Sequence, residues 1–217
     1  MKQFAVIGLG RFGSSVAMTL AKMGYQVFAA DMDEERVNDI VEYVTHAVTL
    51  DALDEHALKG IGIRNFDVVV VAIGKEVQSS ILVTVMLKEL GVQKVVAKAQ
   101  NELHGKVLER VGADKVIYPE RDIGIKVAHA LVSKNVMEQI SLSPEYSLVE
   151  MVAPPKLVNK TLEKSGARHK YGMSILAIRR GEEMIISPSA SQEILEGDIL
   201  VVIGRTERLQ DFDTVEI

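Results

Sequence analysis

Three glycines and one aspartate near the amino terminus have the residue types and the spacing of a nucleotide-phosphate site. The run Gly8-Leu-Gly10-Arg11-Phe-Gly13 follows a short apolar segment, and Asp31 follows the next one. Gly8 permits a tight turn, Gly10 lets backbone N–H groups approach a phosphate, and Gly13 lets the following helix lie close to the sheet. The positive end of that helix attracts the anion, and the Asp31 carboxylate can accept hydrogen bonds from ribose hydroxyls. This pattern predicts a strand–turn–helix–strand unit that binds a nucleotide.

Arg11 and Phe12 fill the glycine turn, and the arginine bears on which nucleotide binds. The diphosphate bridge inside NAD is satisfied largely by backbone N–H groups and the helix dipole, whereas an added arginine suits the terminal phosphate of ADP or ATP. The alternative is that Arg11 is an ordinary solvent-exposed residue of the first helical turn. Met32 and Asp33 follow Asp31 where a basic residue would accept a 2′-phosphate, so the sequence disfavours NADP.

Further candidates follow other predicted strands, at the sheet edge where doubly wound folds bind ligands. They are Asp51, Ala52, Ile73, Gly74, Lys75, Lys98, Ala99, Gln100 and, one helical turn later, His104. Lys98 either neutralises phosphate or is a charged strand end in solvent, and His104 by itself is more typical of a helix surface. Glu120 follows the sixth strand, roughly 14 Å from the first. We therefore expect it to act on a nucleotide across a subunit interface or through Mg²⁺ or Ca²⁺.

Alternating strand and helix patterns predict the elements that position these residues. Six strand–helix steps predict a doubly wound parallel sheet in the order 3-2-1-4-5-6, with the four valines of Asp67–Ile73 in a strand buried on both faces. A long amphipathic helix is predicted over Arg121–Ile140. Short strands, one short helix over Thr161–Ser165 and a final helix after Arg205 follow it. The fold class is thus α/β: a Rossmann-like lobe over 1–120, a crossover helix over 121–140 and a small α+β lobe over 141–217.

Composition excludes several functional classes. The 217 residues carry a net charge of −5, which leaves no basic footprint for nucleic acid, and they include no cysteine for disulfides, thiol catalysis or cysteine-ligated zinc. No apolar run approaches the ~18 residues of a membrane helix, and a strand begins at once without a signal peptide, so we expect a soluble intracellular protein. The second lobe holds one histidine, His169, and no evident acid–base pair. These features favour ligand sensing over catalysis.

Several segments of the chain resemble one family. Phe4–Gly13, Val70–Gly74, Lys98–Asn101 and Val111–Asp114, together with Pro119-Glu120, are similar to the RCK-domain cytosolic regulators of Ktr-type potassium uptake channels. The resemblance covers the whole chain. It implies a homo-octameric ring of nucleotide-binding lobes beneath a membrane channel subunit at the inner face of the cell membrane, with ATP favouring the active ring and ADP the inactive one.

The resemblance also implies roles for individual residues. The nucleotide site of the family falls here on Arg11, Asp31–Asp33, Asp51, Ala52, Ile73–Lys75, Lys98–Gln100 and His104. Glu120 matches the family's acid that holds a divalent cation, Mg²⁺ or Ca²⁺, beside the γ-phosphates of paired subunits. Asp33 stands where some relatives have asparagine, and either side chain accepts a hydrogen bond.

The smaller lobe resembles a cyclic di-AMP receptor of some of these regulators. Arg168 and His169 are its candidate cations, and Ile175 and Pro188 its candidate apolar contacts. The alternative is that Arg168 and His169 are plain surface residues of a dimerisation lobe. For the whole chain, the alternatives are an NAD(H)-dependent oxidoreductase or redox sensor, and a nucleotide-responsive scaffold without a channel partner.

Overall fold

The chain divides into two units after Arg121, and each unit has its own β-sheet. The computed structural model describes residues 2–74, 76–132 and 136–209. The first unit comprises Met1–Arg121 and the second Asp122–Ile217.

A parallel sheet of six strands organises the first unit. The strands are β1 (Gln3–Ile7), β2 (Gln26–Asp31), β3 (His46–Thr49), β4 (Val68–Val71), β5 (Val95–Lys98) and β6 (Lys115–Ile117). Their order is β3-β2-β1-β4-β5-β6, which confirms the predicted topology. Because the chain runs outward in opposite directions from β1 and β4, a crevice opens between the carboxyl ends of these two strands.

Helices connect the strands of this unit. They are α1 (Arg11–Lys22), α2 (Glu34–Ile40), α3 (Glu55–Gly60), α4 (Val77–Glu89) and α5 (Glu102–Arg110), with a 3₁₀ turn at Ile63–Asn65 and α6 (Pro119–Val132) after β6. Three of them begin at side chains that accept hydrogen bonds from first-turn N–H groups, namely Asp33, Asp54 and Asn101. These caps explain why the helices start where they do.

Both faces of the sheet are buried, as the valine run of β4 predicts. Val69 and Val71 belong to one core cluster with Leu58 and Leu87, and Val70 belongs to the cluster on the other face. Two helix layers therefore cover the strands, and only the strand ends remain open for a ligand.

The helix predicted over Arg121–Ile140 is wrong in its second half. Helix α6 ends at Val132, and strand β7 (Val136–Ser141) follows. Strand β7 pairs antiparallel with β8 (Tyr146–Val152), for example Ile140 with Leu148. Cross-strand hydrogen bonds and packing outweigh the helical spacing of the apolar residues, a common tertiary override of a local pattern.

The second unit is an antiparallel sheet with two short helices. Its remaining strands are β9 (Lys160–Thr161), β10 (Met173–Arg180), β11 (Glu183–Ile186), β12 (Glu193–Ile194) and β13 (Ile199–Arg205). Five strands form one sheet in the order β11-β10-β13-β8-β7, and β9 pairs with β12. Helix α7 (Leu162–Ser165) confirms the predicted short helix, but α8 (Ala167–Tyr171) was not expected. Residues 206–209 are helical, in agreement with the helix predicted after Arg205.

No helix within the described parts of the chain is both long enough and apolar enough to cross a membrane.

Candidate nucleotide-binding site

The glycine turn has the geometry that its spacing predicts. Gly8 has a φ of +96°, and a Cβ there would lie 2.9 Å from the carbonyl carbon of Ala72 on the chain leaving β4. A Cβ on Gly13 would collide with the carbonyl oxygen of Gly8, whereas a Cβ on Gly10 would meet no atom within 4 Å. Gly8 and Gly13 are therefore needed for close packing, and the space above Gly10 is open.

Helix α1 begins at this open space without a cap of its own. Gly10 is the N-cap residue, no side chain accepts a hydrogen bond from the first turn, and the first turn holds no acidic residue. The free N–H groups and the positive end of the 12-residue helix can therefore receive an anion. Arg11 is exposed at the first position of α1, so its contact with a terminal phosphate stays a prediction.

Asp31 joins the glycine turn to the end of β2. Its side chain accepts hydrogen bonds from the backbone N–H of Leu9 at 2.6 Å and of Asp33 at 3.0 Å. The residue is only 7% exposed, and the guanidinium of Arg36 lies over it, with Nη1 3.4 Å from Oδ2. The nitrogen Nε of Arg36 also lies 3.3 Å from Oδ2 of Asp33. The carboxylate is thus held in a fixed orientation at the crevice.

Arg36 is not among the residues expected from the sequence. It lies on α2, three residues after the helix cap Asp33, and that spacing is the signal that could have indicated its pairing with an acid at the strand end.

Lys98 and Glu120 form an ion pair beside the glycine turn. The Lys98 ammonium is 2.6 Å from Oε1 of Glu120 and 5.8 Å from the centre of the Phe12 ring. The side chain of Lys98 is 12% exposed and that of Glu120 is 72% exposed. The hydrogen bond from Lys98, helped by the backbone N–H of Glu120 itself, holds the pKa of the Glu120 carboxyl below its ordinary value. Lys98 therefore links Glu120 to the glycine turn, although β6 and β1 are far apart in the sheet.

His104 is buried, which excludes the alternative of a helix-surface residue, while its place in the nucleotide site stays a prediction. It is only 3% exposed, and its ring nitrogen Nδ1 accepts a hydrogen bond from the backbone N–H of Gln100 at 3.3 Å. It occupies the inner face of α5, one turn before the buried Leu108. Nε2 is buried and has no hydrogen-bond partner among the described residues, and burial lowers the pKa of the imidazole. A neutral ring that accepts at Nδ1 carries its proton on Nε2, so an N–H donor is left unsatisfied.

The other sequence candidates of the first unit lie at the same edge of the sheet. Asp51 accepts a hydrogen bond from the N–H of Leu53 at 2.9 Å. Met32 is 74% exposed beside Asp31, and a Cβ on Gly74 would lie 3.5 Å from the ammonium of Lys98. Ala52 and Ala99 are buried, Ile73 is half-buried, and Gln100 is exposed. Lys75 lies outside the described residues.

A divalent cation would find few ligands in one copy of the chain. Among the described residues, no group of three or more histidine, aspartate or glutamate side chains could hold a metal ion. Glu120 is a hard oxygen donor of the kind that Mg²⁺ and Ca²⁺ prefer. Glu120 can therefore help to hold such a cation only if phosphate oxygens or a second copy of the chain supply the other ligands.

The structure brings together part of the set proposed in the second unit. Ile175 and Pro188 are half-buried, and the N–H of Ser187 donates to the carbonyl oxygen of Leu176 at 2.9 Å, so Pro188 lies beside β10. Arg168 and His169 are exposed on α8, which leads into β10.

Comparison with known proteins identifies both units. A TrkA-N domain matches residues 4–119 and a TrkA-C domain matches residues 147–215. The chain is 50% identical to the Ktr system potassium uptake protein C of Bacillus subtilis over 98% of its own length and 96% of that protein. It is 47% identical to the Ktr system potassium uptake protein A of the same organism, again over 98% and 96% of the two chains.

A solved structure shares the fold. The crystal structure of the GsuK RCK domain matches 98% of this chain with a TM-score of 0.69 at 16% identity, and the match spans 47% of the length of that chain. The predicted fold class is therefore confirmed. These relatives are potassium uptake proteins by name, which agrees with the expectation of a regulatory subunit and not of a dehydrogenase. With both TrkA domains present and half of its residues identical to a Ktr protein over nearly the whole length, the chain belongs to the RCK-domain regulatory subunits of Ktr-type potassium uptake systems.

Proposed function

We propose that the protein is a nucleotide-sensing subunit that gates a membrane potassium channel, with ATP as activator and ADP as inactivator. The observation that carries the proposal is the uncapped amino end of α1 beside the open space over Gly10, with Asp31 at the neighbouring strand end. This arrangement combines a phosphate subsite with a ribose subsite in one crevice. The potassium uptake relatives supply the physiological context.

Each end of the proposed nucleotide has a set of recognising groups. Arg11 and the α1 N–H groups bind the phosphates, and Lys98 adds a second positive charge across the crevice. Asp31 accepts hydrogen bonds from the ribose hydroxyls, and Asp33 lies next to it on the ribose side of the site. The unsatisfied Nε2–H of His104 supplies a buried donor for an oxygen acceptor of the ligand. Asp51, Ala52, Ile73–Lys75, Ala99 and Gln100 complete the proposed lining.

Glu120 is proposed to hold Mg²⁺ or Ca²⁺ when ATP is bound. Such a cation, when present, supplies positive charge that neutralises neighbouring phosphate oxygens. A glutamate carboxylate of ordinary pKa is already ionised over the physiological range, and Lys98 lowers the pKa of Glu120 further. Lys98 contacts only Oε1 of Glu120, and the Glu120 side chain is largely exposed. The second carboxylate oxygen is therefore accessible to a cation that a paired subunit shares.

Gating in this proposal follows from differential binding. A ligand shifts a conformational equilibrium only by the difference between its affinities for the two states, so ATP must bind the active ring more tightly than ADP does. The assembly proposed is an octameric ring, attached to a channel subunit at the inner face of the membrane.

Calorimetric titration of the purified protein with ADP, ATP and NADH tests the ligand assignment. We expect both adenine nucleotides to bind more tightly than NADH, because the terminal phosphate meets Arg11. NADH binding as tight as either would favour the redox-sensor alternative. Native mass spectrometry would report the ring size and any retained nucleotide, and potassium flux through a reconstituted complex would report activation by ATP over ADP.

We also propose that cyclic di-AMP binds the second unit at a dimer of these lobes. The support is local: Ser187 pairs with Leu176 of β10, so the neighbouring half-buried residues Pro188 and Ile175 lie on adjacent segments, and the exposed Arg168 and His169 are available to phosphates. Titration of the full chain with cyclic di-AMP should show one ligand per lobe dimer. Arg168→Ala should weaken that binding without changing ADP affinity, and a lack of saturation at high micromolar ligand would remove this site.

A further inference from the structure

The ribose acceptor Asp31 is already engaged by three donors from its own chain. Oδ2 accepts from the N–H of Leu9 at 2.6 Å and from Nη1 of Arg36 at 3.4 Å, and Oδ1 accepts from the N–H of Asp33 at 3.0 Å. A carboxylate offers about four acceptor positions in total. One position on Oδ1 is therefore open, and both positions on Oδ2 are in use.

A ribose brings two hydroxyl donors to a carboxylate with one open position. One of the existing donors must therefore leave when both hydroxyls bind Asp31. The two backbone donors make the shorter bonds and belong to the glycine turn and to the residue that caps α2, so their loss would require the backbone of these segments to move. The Arg36 bond is the longest of the three, and the Arg36 side chain is 44% exposed, so it can move without disturbing the backbone.

Arg36 also has a position to move to. Its Nε already lies 3.3 Å from Oδ2 of Asp33, on the residue that caps the same helix. The guanidinium can thus release Asp31 and keep Asp33 as its partner, so the exchange leaves no charge unpaired.

We propose that Arg36 is a specificity-determining residue of the ribose subsite, which covers Asp31 in the free protein and is displaced by a 2′,3′-diol. This inference rests on the proposed binding of adenine nucleotides. A deoxynucleotide brings a single hydroxyl, which fits the open position on Oδ1 and leaves Arg36 in place. Arg36 therefore weakens binding of the ribonucleotide alone and reduces the discrimination between ribose and deoxyribose.

The test is a double-mutant cycle, in which Arg36 is replaced in the protein and a ribose hydroxyl is removed from the ligand. Affinities of ADP, 2′-deoxy-ADP and 3′-deoxy-ADP are measured by calorimetry for the full chain and for Arg36→Met. Because the contact is long, at 3.4 Å, and its arginine is half exposed, Arg36 contributes little, and we expect the ratio of deoxy to ribo dissociation constants to rise about two- to fivefold in Arg36→Met. Arg36→Lys, which keeps a cation near both acids, should stay close to the parent ratio.

A matched control separates this effect from a general loss of positive charge. Arg64 is exposed on the 3₁₀ turn before β4, at the opposite edge of the sheet. Arg64→Met should lower all three affinities little and equally. Raising the salt concentration screens the half-exposed guanidinium of Arg36 from Asp31, so the deoxy-to-ribo ratio should rise with salt in the parent chain and stay flat in Arg36→Met.

The outcomes separate this inference from the function on which it rests. If ADP binds saturably but the deoxy-to-ribo ratio of dissociation constants does not rise in Arg36→Met, the displacement of Arg36 is overturned and the proposed function stands. A ratio below that of the parent chain would mean that Arg36 instead supports the carboxylate. An absence of saturable ADP binding to the parent chain would overturn the proposed function, and this inference with it.

Discussion

Two ion pairs of similar chemistry, one in each unit, are built in opposite ways. In the second unit, Arg180 donates Nε and Nη2 to the two oxygens of Asp198 at 2.9 and 2.8 Å, and the N–H of Leu195 donates to the same carboxylate at 2.8 Å. In the first unit, Lys98 meets Glu120 through a single contact at 2.6 Å. The Asp198 side chain is 1% exposed and the Glu120 side chain 72%.

The difference indicates which acid is structural and which is available to a ligand. Asp198 is enclosed by donors that the fold places around it, so exchanging its partner would leave buried groups unsatisfied. Within the described part of the chain, Glu120 pairs with Lys98 alone and is largely exposed, so it can accept a cation without disturbing the core. A carboxylate at a ligand crevice can bind a ligand or cation only when some of its hydrogen-bond acceptor positions are unoccupied.

Replacing Asp198 with alanine should give the largest effect on stability. The change removes a bidentate pair and leaves the Leu195 N–H without its acceptor, which costs about 1–3 kcal/mol. Urea denaturation should show this loss in the transition of the second unit, with ADP affinity unchanged. Glu120→Ala is the comparison, since an exposed pair contributes less than about 1 kcal/mol. Equal losses for the two variants would contradict the distinction between the pairs.

Replacing Asp31 with alanine should weaken ADP and ATP alike. The change removes an acceptor that the ribose of both nucleotides shares, which corresponds to about 1–3 kcal/mol of binding free energy. Calorimetry should show the same loss for both ligands. Asp114→Ala is a matched control, because Asp114, like Asp31, accepts a backbone N–H, that of Val95 at 2.7 Å, but before β6 at the opposite edge. A similar loss of ADP affinity in Asp114→Ala would mean that Asp31 acts only through stability.

Replacing Glu120 with glutamine should separate ATP from ADP. The amide keeps the shape and removes the charge, so ADP affinity should change less than about twofold. The gain in ATP affinity on adding Mg²⁺ or Ca²⁺ should disappear, and channel flux should fall with it. Equal weakening of ADP and ATP, or an intact response to the cation, would make Glu120 only a partner of Lys98.

The pH dependence of stability should distinguish the two acids further. The hydrogen bonds from Arg180 hold the pKa of Asp198 below its ordinary value. A depressed pKa stabilises the folded state above the unfolded pKa, and this contribution is lost as the pH falls through the folded pKa. Below about pH 4, the free energy of unfolding of the parent chain should therefore approach that of Asp198→Asn. The difference between the parent chain and Glu120→Gln should be small throughout, and a large acid-dependent difference there would contradict the comparison.

Local patterns predicted the parts of the fold that local physics controls. The four-valine strand, the glycine turn and the acid after β2 each occur within a few residues, and the sheet order followed from the alternation of strands and helices. The helix over Arg121–Ile140 failed because Val136–Ser141 pairs with a strand. Helical periodicity carries no information about the availability of a partner strand.

The sequence by itself determined the family, the sheet order and the edge of the sheet that carries the candidate site, because glycine turns and strand ends are encoded over short stretches. Only the tertiary structure decided that His104 is buried, that Lys98 joins Glu120 to the glycine turn, and that Arg36 covers Asp31. Burial and partner choice depend on which elements pack together, since a side chain meets neighbours that are distant in the chain. The availability of each charged group to a ligand is therefore a property of the folded protein.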